Sequence, residues 1–331
     1  MGHDLSVLPG AGTINALTSD SADTPLELVS LRSRPLRPKE MRVRTRAIGV
    51  NPVDWKMRSA DGFLGLMQRI LGPSGPLVIG IDFAGEVVEV GAKVTEIEVG
   101  ARVVGGTDFS RGQRGSYAEE VIVRPDQCAV LPDSVTFEAA ACLPVAAVTA
   151  WMALTEHASI GADSRVLVLG ASGGVGLFAI ELAKMLGAEV AGVCSTRNVE
   201  VVERLGATAI DYTAGDALEA ARAHGPYDLV LHMVGTETYP LKECRSLLSA
   251  SGIVDLVAYR SADLFAVLFS RQVRTILGRA TRARLTPLVE AIASGDVDPI
   301  IAERYPLADG EQAHVRSKAG RVVGKLVIIP D

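Results

Sequence analysis

The chain has 331 residues, 48% hydrophobic and 22% charged, with a formal net charge of −6. That length suits two domains with separate cores, and the acidic balance excludes the basic surface that nucleic acid or an anionic membrane requires. The most continuous apolar stretch, residues 139–154, carries Pro144 and Thr149 and is too short for a membrane span, so it reads as a buried helix. The opening Met1-Gly-His-Asp-Leu5 has no basic-then-apolar leader, and a cytoplasmic protein is expected. Cys128, Cys142, Cys194 and Cys244 are far apart, as are His3, His157, His224, His232 and His314. Neither set forms a disulfide framework or a local metal motif.

In chain order, residues 41–50, 83–90, 101–105, 117–123 and 129–131 are short apolar runs punctuated by Gly and Pro, the pattern of a small all-β barrel. From about 144 to 280 the style changes. Strands at 166–169, 189–194, 209–210, 229–231 and 253–257 alternate with helical patterns, which argues for a doubly wound parallel sheet. His232 ends one of these strands and reads as a core or cleft histidine rather than a catalyst. The tail returns to the first style, with a helix over 285–294 stopped by Gly295 and a closing strand over 325–329. The expected organisation is a discontinuous β-domain, 1–143 plus 285–331, with a nucleotide domain, 144–284, inserted and a cleft between them.

The segment Val166-Leu-Val-Leu-Gly-Ala-Ser-Gly-Gly-Val-Gly176 runs from a buried strand into a glycine turn and then a helical pattern. Gly170, Gly173 and Gly176 let the backbone approach a pyrophosphate, and the helix N-terminus offers unpaired N–H groups and a positive dipole end. Ser172 takes the place of the usual second glycine. At the end of the next strand, Cys194-Ser-Thr-Arg-Asn198 supplies two hydroxyls and a guanidinium, with no carboxylate before Glu200. A guanidinium suits a 2′-phosphate, so NADPH is expected over NADH.

Several further segments carry a resemblance: Gly49-Val-Asn-Pro-Val-Asp54, Gly80-Ile-Asp-Phe-Ala-Gly85, Gly115-Ser-Tyr-Ala-Glu119, Thr149-Ala-Trp-Met-Ala-Leu154, Leu205-Gly-Ala-Thr-Ala-Ile-Asp-Tyr212 and Gly324-Lys325. In this order, over nearly the whole chain, they resemble the zinc-independent medium-chain dehydrogenase/reductases of the quinone oxidoreductase (zeta-crystallin-like) branch. The resemblance implies an α/β architecture in which a GroES-like barrel surrounds an inserted Rossmann domain. Zinc alcohol dehydrogenases have a cysteine where this chain has Asn51, and a His-Glu pair where it has Ile81-Asp82, so no catalytic zinc is expected.

Hydride transfer from NADPH to a quinone or an enone is therefore the implied activity, with the acceptor held about 3–3.5 Å from the nicotinamide. Asn51 and Lys56 are the candidates for stabilising or protonating the developing oxyanion, with Asp54 and Trp55 in the acceptor pocket. Asp54 and Arg58 also have the spacing of a helical ion pair. By resemblance Thr149 and Val234 lie at the nicotinamide end, and Ser172, Gly173, Gly174 and Val175 on the pyrophosphate. Ser195, Thr196, Arg197 and Tyr212 lie at the 2′-phosphate, and Lys325 is a further cofactor candidate. A homodimer is implied too, with residues 264–269 at the subunit contact or in the acceptor pocket. An enoyl-thioester reductase is the nearest rival, with Arg271, Arg274, Arg279, Arg282 and Arg284 as a possible mouth for a coenzyme A diphosphate. A non-catalytic NADPH-binding sensor or structural protein is the alternative of another class.

Overall fold

The computed structural model describes residues 12–19, 24–58, 76–260 and 263–330. The residues read for a leader, His3 among them, lie outside these. The chain opens with an antiparallel ribbon, β1 (Thr13–Thr18) on β2 (Glu27–Arg32). The long strand β3 (Met41–Val50) follows, then β4 (Asp82–Val90), β5 (Arg102–Gly106), β6 (Glu120–Val123) and β7 (Cys128–Val130). Register shifts at Arg42/Val43 and Thr45/Ala47 bend β3 against β4. The bends let β6 pair with the first half of β3, residues 41–44.

A six-stranded sheet comes next: β8 (Arg165–Leu169), β9 (Glu189–Cys194), β10 (Thr208–Asp211), β11 (Tyr227–His232), β12 (Leu248–Leu256) and β13 (Val273–Thr275). Its order is β10–β9–β8–β11–β12–β13, and every pairing is parallel. Both faces are covered, which explains the uninterrupted apolar run of β8. Val166 and Val168 join one core with Leu229 and Leu231, while Leu167 and Leu169 join a second with Val230 and Leu256. Burying each such side chain contributes about 1.5–3 kcal/mol. Connections run in opposite directions from β8 and β11, so a crevice opens at their C-terminal ends.

The last strands, β14 (Ile301–Pro306) and β15 (Lys325–Ile329), return to the first sheet. There β15 pairs with the second half of β3, completing the order β14–β15–β3–β4–β5–β7 with β6 also on β3. The expected closing strand and helix (Arg282–Ser294, ended by Gly295 at φ +84°) are both present. Two strands start three or more residues from where they are expected. The run at 117–123 pairs as a strand only from Glu120, because Tyr117 is spent on contacts with β1 and Ile79. Strand β12 begins at Leu248 rather than 253, and its polar Ser249–Gly252 stretch sits in a register shift against β11, which hid it from apolar pattern.

The apolar stretch 139–154 is helical, as read. Thr136 caps its start by accepting from the Ala139 N–H. The helix then widens into π-turns at Leu143–Ala147 and Met152–His157, the first accommodating Pro144, which lacks an N–H. It packs against β3 and β4 at its start and the helix Gly174–Met185 further on, joining the two sheets. Among the described residues no helix is long and apolar enough to cross a membrane.

Candidate active site

At Leu169 the chain leaves β8 through Gly170, whose φ of +98° favours glycine, and enters the helix Gly174–Met185. A Cβ on Gly176 would stand 2.4 Å from the Gly170 carbonyl oxygen, so the helix approaches the turn as closely as only glycine allows. Gly173 is the helix N-cap and brings no side-chain cap, leaving the first-turn N–H groups for an anion. Val234, past the end of β11, faces this turn, with its Cγ2 3.3 Å from where a Cβ on Gly170 would lie. Thr149 is buried in the helix Val148–Trp151 beside Gly278. These residues fit the diphosphate and nicotinamide of a dinucleotide at the crevice.

The loop after β9 is held at two points. The Asn198 amide donates to the Ser172 hydroxyl at 2.8 Å, and Asn198 is itself buried. Thr196 donates to Asp211 Oδ2 at 2.7 Å. Ser195 is half-buried, Thr196 and Arg197 are exposed, and Tyr212 is exposed at the same end of the sheet. Sequence reading missed both Asn198 and Asp211. It looked for a carboxylate along β9 and its loop, whereas Asp211 arrives from the neighbouring strand, in register with Cys194.

Facing the glycine turn from the other sheet is a buried polar cluster. The Lys325 ammonium donates to the Val50 carbonyl at 3.1 Å and to the Asn51 side-chain oxygen, and lies 3.4 Å from Asp82 Oδ2. Asn51 Nδ2 donates to the same Asp82 oxygen at 2.9 Å. The backbone N–H of Asn51 and the Tyr117 hydroxyl both donate to Asp54 Oδ2, at 2.8 and 3.1 Å. Burial pushes the Asp54 carboxyl up to about 7, reinforced by the charge of Asp82 and opposed by Asn51, Lys325 and Tyr117. Asp82 is also raised, again by burial first.

Lys325 joins this cluster to the turn. Gly324 forms a parallel bridge with Gly173 and donates to the Ser172 carbonyl at 3.2 Å. A Cβ on Gly174 would meet the Lys325 stem at 2.9 Å. The lysine stem therefore runs along the phosphate turn while its head rests among Asn51 and Asp82.

Other sequence candidates fall differently. Asp54 is fully buried on the inner face of its own helix, Pro52–Arg58, rather than lining an open pocket. The Asp54–Arg58 ion pair does not form. Asp54 turns back to the Asn51 N–H, and Arg58 pairs with Glu311 at 3.0 Å and approaches His314. Lys56 lies over the Trp55 ring, 5.5 Å from its centroid, and Trp55 Nε1 is buried without a hydrogen-bond partner. His232 is buried on the Tyr239 carbonyl at 2.9 Å, a core role. The arginine cluster is largely committed elsewhere. Arg279 pairs with Asp108 at 2.7 Å, Arg284 with both oxygens of Glu156, and Arg282 donates to the Pro125 and Cys128 carbonyls. Among the described residues no group of three or more His, Cys, Asp and Glu side chains is arranged to hold a metal ion.

A glycine turn at the switch point of a parallel sheet, set against a second β-sheet, defines a dinucleotide-binding protein of the doubly wound class. Residues 37–133 match the alcohol dehydrogenase GroES-like domain, and residues 205–328 match the zinc-binding dehydrogenase family. The quinone-oxidoreductase homolog of the chloroplast of Spinacia oleracea is 31% identical over 304 residues, covering 88% of this chain and 90% of that protein. The mitochondrial NAD(P)H oxidoreductase RTN4IP1 of Bos taurus is 30% identical over 325 residues, covering 88% and 82%. The quinone oxidoreductase of Coxiella burnetii superposes with a TM-score of 0.86 at 29% identity, covering 96% of this chain and 99% of that one. The chain belongs to the quinone oxidoreductase-like family of the medium-chain dehydrogenase/reductases, a GroES-like domain carrying an inserted Rossmann domain, and is an oxidoreductase using a nicotinamide cofactor.

Proposed function

We propose that the protein transfers a hydride from NADPH to a quinone or to the β-carbon of an enone, without zinc. The observation that carries this reading is the Lys325 ammonium held by Asn51, Val50 and Asp82. The oxygen acceptors of this buried cluster already surround a cation, and Asn51 and Ile81 replace ligands that zinc would require. An electron-poor acceptor needs no Lewis acid, only orientation and a hydrogen bond to the oxyanion. When bound, the cofactor supplies the hydride.

This chain's own residues supply the rest. The second N–H of the Asn51 amide is held only weakly, at 3.5 Å from the Gly49 carbonyl, and is the donor assigned to the acceptor oxygen. Lys56 and Trp55 form the outer wall, with Lys56 as proton source. Arg197, Ser195 and Tyr212 hold the 2′-phosphate, while Thr149 and Val234 position the nicotinamide. NADPH oxidation at 340 nm against a naphthoquinone, a short enone and a crotonyl thioester tests the reading. Turnover of the quinone or enone is expected. Preference for the thioester transfers the chain to acyl reduction, binding of NADPH with no turnover favours a sensor or structural role, and turnover that vanishes with a chelator and returns with zinc overturns the metal-free part.

The homodimer belongs to the same proposal. Strand β13 is an edge of the six-stranded sheet, and Phe265, Leu268, Phe269 and Leu277 beside it are strongly exposed. A second copy pairing β13 across a two-fold axis covers both the open edge and the apolar side chains. Light scattering on the pure protein, with Phe269→Glu as the disrupting variant, decides it.

A further inference from the structure

The polar clasp between the loop after β9 and the end of β10 bears on which nicotinamide cofactor is used. Asp211 accepts from the Thr196 hydroxyl at 2.7 Å, the Thr213 N–H at 2.9 Å and the Thr213 hydroxyl at 2.7 Å. The two hydroxyls also approach each other, at 2.6 Å. Each hydroxyl has a single proton. Two protons therefore serve three contacts, and none remains for a phosphate. We propose that Asp211 is a specificity-determining residue, weakening discrimination in favour of NADPH by holding the Thr196 proton and by opposing the charge of the 2′-phosphate.

The position supports this. Asp211 sits opposite Cys194 in the parallel register, so its side chain emerges beside the loop that meets the adenosine ribose in a doubly wound fold. Thr196 precedes Arg197, so the anion and the guanidinium stand on one small loop system with opposite effects on a phosphate. The Asn198–Ser172 bond fixes the loop from its other side, which limits how far Thr196 can move away from Asp211. Asp211 is ionised at neutral pH, since the Thr196 and Thr213 bonds hold its carboxyl below the usual carboxylate range.

The inference rests on the glycine turn binding a nicotinamide dinucleotide, but not on NADPH being the preferred one. The test is the preference for NADPH over NADH in wild type, Asp211→Asn and Thr196→Val, read both as the ratio of binding affinities from fluorescence titration without acceptor and as the ratio of kcat/KM. Asp211→Asn keeps one of the two acceptor oxygens and removes the charge, and is expected to raise the ratio about fivefold at low salt, with the gain shrinking as ionic strength rises. Thr196→Val removes the one hydrogen bond to Asp211 Oδ2 while the Thr213 bonds to Oδ1 remain, which leaves the carboxylate less compensated, and is expected to lower the ratio. Because the two cofactors differ only in the 2′-phosphate, a merely structural defect moves both constants together. An unchanged ratio in Asp211→Asn, a parallel loss with both cofactors, or a shift toward NADPH in Thr196→Val overturns the proposal. Wild type favouring NADH overturns the NADPH reading alone, and the Asp211→Asn shift then still decides this one.

Discussion

The side-chain amide of Asn198 donates a 2.8 Å hydrogen bond to the Ser172 hydroxyl, tying the loop after β9 to the phosphate turn. The bond occupies a lone pair of Ser172 and leaves its hydroxyl proton for the diphosphate. A hydrogen bond of this kind contributes about 0.5–1.5 kcal/mol, or roughly 3–10-fold in affinity. Asn198→Ala is expected to weaken NADPH and NADH binding by that factor with kcat unchanged. Fluorescence titration measures it, and a cycle with Ser172→Ala should be non-additive.

Lys325 is the nearest cation to a carboxylate with no solvent exposure, Asp82. Lys325→Met leaves that charge buried and unpaired, and is expected to cost about 3–5 kcal/mol in urea unfolding. The double variant Lys325→Met/Asp82→Asn removes both charges and is expected to recover a large part of the loss. Equal instability of the single and double variants would show that the lysine acts through packing alone.

Asp54 gives stability a pH dependence with a definite sign. Its folded-state carboxyl is raised to about 7, so the folded form holds a proton that the unfolded chain releases at ordinary carboxylate values. The stabilisation is complete at low pH and is lost as pH rises through about 7. The slope for one group is at most about 1.4 kcal/mol per pH unit. Unfolding free energies of wild type and Asp54→Asn between about pH 4 and about pH 7 test this, the span over which the folded chain holds the proton and the unfolded chain does not. The Asn variant is expected to flatten the decline.

Gly176→Ala places a methyl where only 2.4 Å separates it from the Gly170 carbonyl oxygen. The helix must retreat from the turn, and NADPH binding is expected to fall more than tenfold, about 1.4 kcal/mol or more. Gly161→Ala is the control, because its added Cβ meets nothing within 4 Å. Isothermal titration of both variants separates a local clash from a general loss of fold.

Much of this architecture is legible in the chain because it rests on short-range patterns. The run 166–176 announces strand, turn and helix, and Gly170 and Gly176 occupy positions that demand glycine. The change from turn-rich runs to alternating strands and helices reflects the two sheets. What stayed hidden involves partners distant in sequence. Lys325 meets Asn51 and Asp82 across 274 and 243 positions, and nothing local distinguishes it from a solvated lysine at a strand start. Arg58 illustrates the opposite failure: four-residue spacing suggested Asp54, yet tertiary packing gave it Glu311. Asp211 was overlooked because parallel neighbours in a sheet are separated in sequence by a whole helix.

The double attachment of Lys325 also concerns anyone who re-engineers this protein. Its stem lies against Gly174 and its head among Asn51 and Asp82. The glycine turn and the proposed acceptor site thus share one side chain. Libraries that vary the glycine turn should be screened with several acceptors, because a gain scored on one substrate can be a trade made at the other end of the lysine.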